Sequence, residues 1–242
     1  MVSEDDISEL VLVSGDPGRI ERLGCFLKGF SVVSRHRGFV CAVGRYKGVL
    51  VTGASTGIGG ASAAIALEEL ANAGAKVVIR VGTAGGLQPE VDVGHLVVAT
   101  AAVRDDGVGA KYLPLSYPAV PDLDVLRALL RTIEERCSLK WHAGPVWTSS
   151  NYYLRSRKLI DLWRRAGVLA VEMECATLFV LAKVRGFKAG ALLAIDGNLA
   201  KGTAKSGLSE KVPREAEERV MRAIEEEVKV ALEALVRLSK GA

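Results

Sequence analysis

The residue types that could do chemistry sit in a few glycine-flanked or acidic stretches. Arg80-Val81-Gly82-Thr83-Ala84-Gly85-Gly86 leaves a β-branched apolar run, Val77-Val78-Ile79, and opens into small residues. It offers one cation, one hydroxyl and several bare backbone N–H groups. That set suits phosphate or another small anion. Glycine lets the backbone come close, successive N–H groups form an anion-binding concavity, and arginine presents a planar fork. Taken alone, a glycine-rich turn with a solvated arginine is the competing reading. A second such loop, Ser14-Gly15-Asp16-Pro17-Gly18-Arg19, follows the apolar run Leu10-Val11-Leu12-Val13. It predicts a buried strand, a turn and a helix from about Pro17, and a helix N-terminus favours anions. Arg35-His36-Arg37, ahead of the strand-like Phe39-Val40-Cys41-Ala42-Val43, is either a charged hairpin tip or a source of one arginine for a ligand, in this subunit or a neighbouring one.

Carboxylates and aromatics supply the rest. Glu172-Met173-Glu174 precedes an apolar helix, where two carboxylates sit badly in a core unless they bind something or serve the helix N-terminus. Tyr152-Tyr153 follows a short strand ending in Thr148-Ser149-Ser150 and could stack on a planar ring or simply pack. Asp196-Gly197-Asn198 closes the buried strand predicted over 189–195, at the strand end where open α/β sheets bind ligands. Thr52-Gly53-Ala54-Ser55-Thr56-Gly57-Ile58-Gly59 raises a different chemistry, since it resembles the cofactor loop of short-chain dehydrogenases. Against an NAD(P) oxidoreductase, some fifty residues with their own strand–turn–helix precede the loop, and none of Tyr46, Tyr112, Tyr117, Tyr152 and Tyr153 has a lysine four residues on.

The elements that must position these residues alternate between two periods. Apolar runs predict strands over 76–81, 93–103 and 146–150, besides those already named, and 61–73, 123–135, 154–165 and 178–184 read as helices. A terminal helix over 213–238 carries Val220, Ile224, Val228, Ala231, Leu232 and Leu235 at helical spacing. The polar stretch 201–211 is a candidate flap. Without a linker, repeat or low-complexity tract, the 242 residues predict one domain over 1–242. The balance of 32 basic and 28 acidic residues is mild, so nucleic acid is not the expected partner. Cys25, Cys41, Cys137 and Cys175 lack metal-site spacing and read as buried thiols in a reducing compartment. The acidic start, Met1 to Asp6, has no signal-peptide pattern and no run is long enough to span a membrane, which predicts a cytoplasmic protein.

Four loops together carry a resemblance across nearly the whole chain. Gly15-Asp16-Pro17-Gly18-Arg19, Ser55-Thr56-Gly57-Ile58-Gly59-Gly60, Arg80 to Gly86, and Glu172-Met173-Glu174 stand in the order and rough spacing of the hexamer-forming nucleoside phosphorylases. Glu68-Glu69-Leu70, Gln88-Pro89, Val93-Gly94 and Pro118 to Asp122 are similar to the uridine phosphorylases in particular. The resemblance implies a single-domain, three-layer α/β/α fold with a mixed, strongly curved central sheet. It implies phosphorolysis of a nucleoside, uridine-like first and purine nucleoside or methylthioadenosine second. Inorganic phosphate would be the co-substrate, with no further cofactor and no metal. Gly15, Arg19, Arg80 and Thr83 would hold phosphate, with Arg37 completing a neighbour's pocket in a hexameric trimer of dimers. Thr83, Met173 and Glu174 would hold the ribose, and Ala84, Gly85, Tyr152 and Asp196 would face the base. Arg19, Arg37 and Arg80 together argue against a hydrolytic nucleosidase. Two departures concern the base. The uridine enzymes' Gln-x-Arg is replaced here by Leu154-Arg155-Ser156-Arg157-Lys158, and the purine enzymes' Ser-Asp pair by Asp196-Gly197.

Overall fold

The computed structural model describes residues 7–153, 156–203 and 213–240. Their strands are β1 (Leu10–Ser14), β2 (Lys28–His36), β3 (Phe39–Tyr46), β4 (Val49–Ser55), β5 (Val77–Gly86), β6 (Leu96–Asp105), β7 (Trp141–Ser149), β8 (Ala170–Glu172) and β9 (Lys188–Asn198). Helices α1 (Pro17–Arg22), α2 (Gly60–Asn72), α3 (Gly109–Tyr112), α4 (Leu123–Arg136), α5 (Arg157–Arg165), α6 (Cys175–Arg185) and α7 (Arg214–Ser239) connect or cover them. The strands form one sheet in the order β2-β3-β4-β1-β5-β8-β7-β6-β9, and β9 also pairs with β5. That extra pairing curls β5, β8, β7, β6 and β9 into a closed ring, while β1, β4, β3 and β2 extend from β5 as an open wing. Parallel pairs (β1 with β4 and β5; β5 with β9) and antiparallel pairs (β6 with β9; β3 with β4) coexist. The sheet is mixed and strongly curved, as the resemblance implied.

Residue alternation in the strands sets the layers. Val11 and Val13 of β1 join one core with Ala63, Leu67 and Leu70 of α2 and Leu178 and Phe179 of α6. Leu12, between them, joins a second core with Ile20 of α1, Leu129 and Ile133 of α4, and Ile224, Val228, Leu232 and Leu235 of α7. Burying apolar side chains on both faces stabilises the sheet by roughly 25 cal/mol per Å² removed from water, and it fixes which strand ends stay open for ligand.

Local chemistry sets the element ends. Asp16 caps α1 by accepting from the Gly18 N–H at 2.8 Å, with Pro17 in the first turn. Asp122 accepts from the Asp124 N–H at 3.0 Å to start α4. The terminal helix follows its predicted stripe, and α6 begins earlier than expected, at Cys175.

Three expectations need correction. The glycine-rich stretch 82–86 is not a loop: β5 runs through it to Gly86, paired with β9 along its length and with β8 at its end. Those glycines serve close approach, since a Cβ at Gly86 would lie 2.4 Å from the Val91 carbonyl oxygen. The three-residue strand β8 was not anticipated, because Ala170, Val171 and Glu172 are too few to show a period. Cys25 is exposed and Cys137 only half-buried, whereas Cys41 and Cys175 are buried as expected. Of the flap expected over 201–211, residues 204–211 lie outside the described residues, as do 154–155 at the start of the helix expected over 154–165. Among the described residues no helix is long and apolar enough to cross a membrane.

Candidate active site

The C-terminal ends of β1 and β4 lie side by side, with Ser14 opposite Ser55, and β5 flanks β1 with Arg80 opposite Val13. Chain leaving these ends walls a cavity of about 800 Å³. Its lining includes Gly15, Arg19, Arg80, Thr83, Ala84, Gly85, Tyr152, Met173, Glu174 and Asp196. Every expected site residue except Arg37 is therefore brought to one place, from five separate stretches of sequence. This is the strand-end location at which open α/β sheets accept ligands.

Arg80 is the centre of its charge network. The guanidinium lies back along its own strand over Gly82, where a Cβ would be only 2.9 Å from Nη2. Glycine at 82 is thus what gives Arg80 room. Its Nη2 donates to Glu174 Oε2 at 2.5 Å and lies 3.3 Å from Glu172 Oε2. Burial would lower the Arg80 pKa, but the two carboxylates beside it, Glu174 foremost, more than reverse that and keep it charged. Nε and Nη1 of Arg80 are buried and find no hydrogen-bond partner among the described residues. Buried donors of a charged fork are costly to leave unsatisfied.

The two glutamates flanking Met173 divide their work. Glu172 accepts from the Thr148 hydroxyl at 2.5 Å and from the backbone N–H groups of Glu174 and Cys175, pinning the start of α6 to β7. It is the helix-terminus carboxylate of the sequence expectation, although it also touches Arg80. Glu174 faces the cavity. Its Oε1 accepts from the Gly59 N–H at 2.5 Å, at the N-terminus of α2, where Gly59 has φ 86°. Burial pushes the Glu174 carboxyl upward, Arg80 pulls it down, and Glu172 pushes it up again. The loop that resembles a dehydrogenase cofactor site is therefore spent on holding this carboxylate.

Asp196 sits at an irregularity in strand pairing. Ala84 pairs with Ile195 and Gly85 with Gly197, so Asp196 is the extra residue of a bulge and lines the cavity. Tyr152 also lines it, with its ring edge-on to Tyr153 at 5.1 Å between centroids. Arg37 is elsewhere. It is exposed at the tip of the β2–β3 hairpin with φ 50°, followed by Gly38 at φ 84°, a tight turn whose two central residues both have positive φ. It borders a separate groove with Phe39 and Glu69.

Three features escaped the sequence reading. Ser149 and Asn151 line the cavity beside Tyr152. Glu227 of α7 is wholly buried behind it, with Oε1 3.3 Å from Arg19 Nη1 and Oε2 accepting from the Gly82 N–H at 3.3 Å. One acidic residue within the apolar stripe of α7, between Ile224 and Ala231, was the visible sign of it.

The pattern of the Phosphorylase superfamily matches residues 9–237. The chain belongs to that superfamily. Over 221 residues it is 39% identical to a guanosine phosphorylase of Halorubrum lacusprofundi, spanning 91% of both chains. It is 38% identical over 206 residues to a uridine phosphorylase of Thermococcus kodakarensis, covering 80% of this phosphorylase and 74% of that one. The crystal structure of a Vibrio fischeri uridine phosphorylase superposes with a TM-score of 0.90 at 30% identity, covering 98% and 95% of the two chains. Membership of this superfamily replaces the dehydrogenase alternative.

Proposed function

We infer that the cavity carries out phosphorolysis of a nucleoside, with inorganic phosphate as co-substrate and no other cofactor, giving free base and ribose 1-phosphate. The observation that carries this reading is the Arg80 guanidinium. It is buried in the cavity wall, tied at one nitrogen to Glu174 and unsatisfied at two others, beside Arg19, Gly15 and Thr83. A phosphate oxygen would meet those donors. Bound there, phosphate stands under the sugar, and holding the two reactants in line removes much of the entropic barrier.

A phosphate oxygen then bonds to C1′ as the C1′–N bond breaks, and the electron pair of that bond leaves with the base. The sugar passes through an oxocarbenium-like state, whose positive charge Glu174 and the phosphate stabilise. Glu174, with Met173 alongside, grips the ribose hydroxyls and does so only while ionised; burial pushes its carboxyl up on balance, and Arg80 is the main pull in the other direction. Tyr152 and the Ala84–Gly85 backbone border the base.

Within the chain, the cavity lining includes Arg19 and Arg80 against Asp16, Glu172, Glu174 and Asp196. A phosphate dianion gains from another cation, and Arg37 at its hairpin tip supplies one to a neighbouring copy in a hexamer of three dimers. The cysteines carry free thiols, which suits a reducing cytoplasm and a role in pyrimidine salvage.

Uridine-like substrates are the first reading, in keeping with the relatives named uridine phosphorylase. A purine nucleoside is the second, favoured by Asp196 on the wall as a proton donor to the leaving base, and by the likeness to a guanosine phosphorylase. The purified protein incubated with uridine, guanosine and methylthioadenosine, with and without phosphate, tests both. Base and ribose 1-phosphate should form only with phosphate. Release of base and free ribose without it would make the protein a hydrolase and overturn the reading.

A further inference from the structure

Glu227 has no place in the steps above, yet it is built into their foundations. Its side chain is wholly buried on α7, and two of its partners, Arg19 and the Gly82 backbone, belong to the cavity wall. The carboxylate itself does not line the cavity. It therefore stands behind the oxyanion end, holding from the rear Arg19, whose other donors a phosphate would use from the front, and the backbone at Gly82 over which Arg80 lies. Resting on the phosphate reading above, we propose that Glu227 is a positioning residue that orients Arg19 and the Gly82 amide, and that phosphate binding to its ionised form is accompanied by uptake of one proton from solvent onto its carboxylate.

The charges around it argue for this. Arg19 faces Glu227 from α1 and Arg80 from β5, while β9 contributes only the backbone of Ala194. Arg80 is already matched by Glu174 and Glu172. With Glu227 ionised, Arg19 is matched as well, and the arriving dianion finds no surplus positive charge in this chain. Protonating Glu227 frees the Arg19 charge for the phosphate without moving either residue. Arginine has donors enough to keep one hydrogen bond to a neutral carboxyl and turn others to the ligand. Burial pushes the Glu227 carboxyl up to about 8, against the pull of Arg19, so the exchange falls within the working range of pH. A nearby phosphate raises it further.

Two measurements test this. Calorimetric titration of the wild-type protein with inorganic phosphate, in buffers of different ionisation enthalpy between about pH 7 and 9, counts the protons taken up. Uptake beyond what phosphate's own ionisation explains should be small at about pH 7 and approach one proton at about pH 9, as Glu227 starts out increasingly ionised. In parallel, the phosphate KM of wild type, at saturating nucleoside, should rise with pH about tenfold per unit above the Glu227 titration. Glu227→Gln, which keeps an acceptor for Gly82, should flatten that rise and leave the nucleoside KM within about twofold. A merely structural role would move stability but not the slope. If phosphate binds wild type with no extra proton, the proposal falls while the phosphate site stands, whether or not the variant folds. Equal slopes for the two proteins would have the same effect. If phosphate does not bind at all, the cavity reading falls and takes this one with it.

Discussion

At the oxyanion end of the cavity, Arg80 leaves a central strand, Arg19 a capped helix and Glu174 the start of α6, and each is locked by a named partner: Glu174, Glu227 and the Gly59 amide. At the base end, Ser149, Asn151 and Tyr152 come from the close of β7 and the chain just beyond it, and Asp196 from a bulge in β9. One end is assembled from buried, mutually neutralised charges. The other is assembled from short polar side chains and one ring. Positioning of charge to within fractions of an ångström is what phosphate attack needs, whereas a flat base tolerates a looser wall. On the function proposed above, chemistry belongs to the end of paired charges and substrate choice to the end of short polar side chains.

Substitutions should reveal that difference. Arg80→Ala should have the largest effect, cutting kcat/KM about a thousandfold and lowering the melting temperature. It strands two buried carboxylates, and breaking a buried pair costs about 3–5 kcal/mol. Phosphorolysis assays alongside thermal melts would show both losses, and retained activity would dissolve the proposed division between the ends. Glu174→Gln should lower turnover about a hundredfold or more, the range for a preorganised electrostatic contact, with far-ultraviolet circular dichroism unchanged. Glu172→Gln should do the converse, weakening the α6 terminus by about 1–3 kcal/mol in a denaturant titration before it affects the ribose. At the base end, Asp196→Asn should slow guanosine by about tenfold or more if it donates a proton and uridine much less. Equal effects on the two would remove Asp196 from base selection.

A separate effect is expected on stability against pH. Glu227 has a folded-state pKa near 8 and an ordinary value of 4.5. The folded state therefore holds more protons in that window, and the stability Glu227 contributes is full below about 4.5 and lost as pH rises through about 8. Melting temperatures across that window should fall more steeply for wild type than for Glu227→Gln.

Much of the cavity lining was legible in the sequence, because glycine loops and their arginines are local signals. Gly15 to Arg19 predicted a strand, a turn and a helix start, and the chain forms them there. The glycines at 82–86 misled in one respect. Small residues after a strand usually mark a turn, but here they serve a crowded strand interior, and only the neighbouring strands β8 and β9 reveal the crowding. Asp196 stood one place off the purine enzymes' order, and the sequence could not say which face it took. The bulge opposite Ala84 and Gly85 turns it to the cavity.

Glu227 shows the limit most clearly. It lies 208 residues from Arg19, and the sequence shows it only as a glutamate on the apolar stripe of an acidic helix, with no sign of its partner. By itself, the sequence determined the longer elements and their order, the apolar faces and the kinds of charge available, because these depend on neighbours three or four residues away. The tertiary structure alone decided which carboxylate each arginine meets, because burial and pairing are properties of packed surfaces brought together from distant parts of the chain.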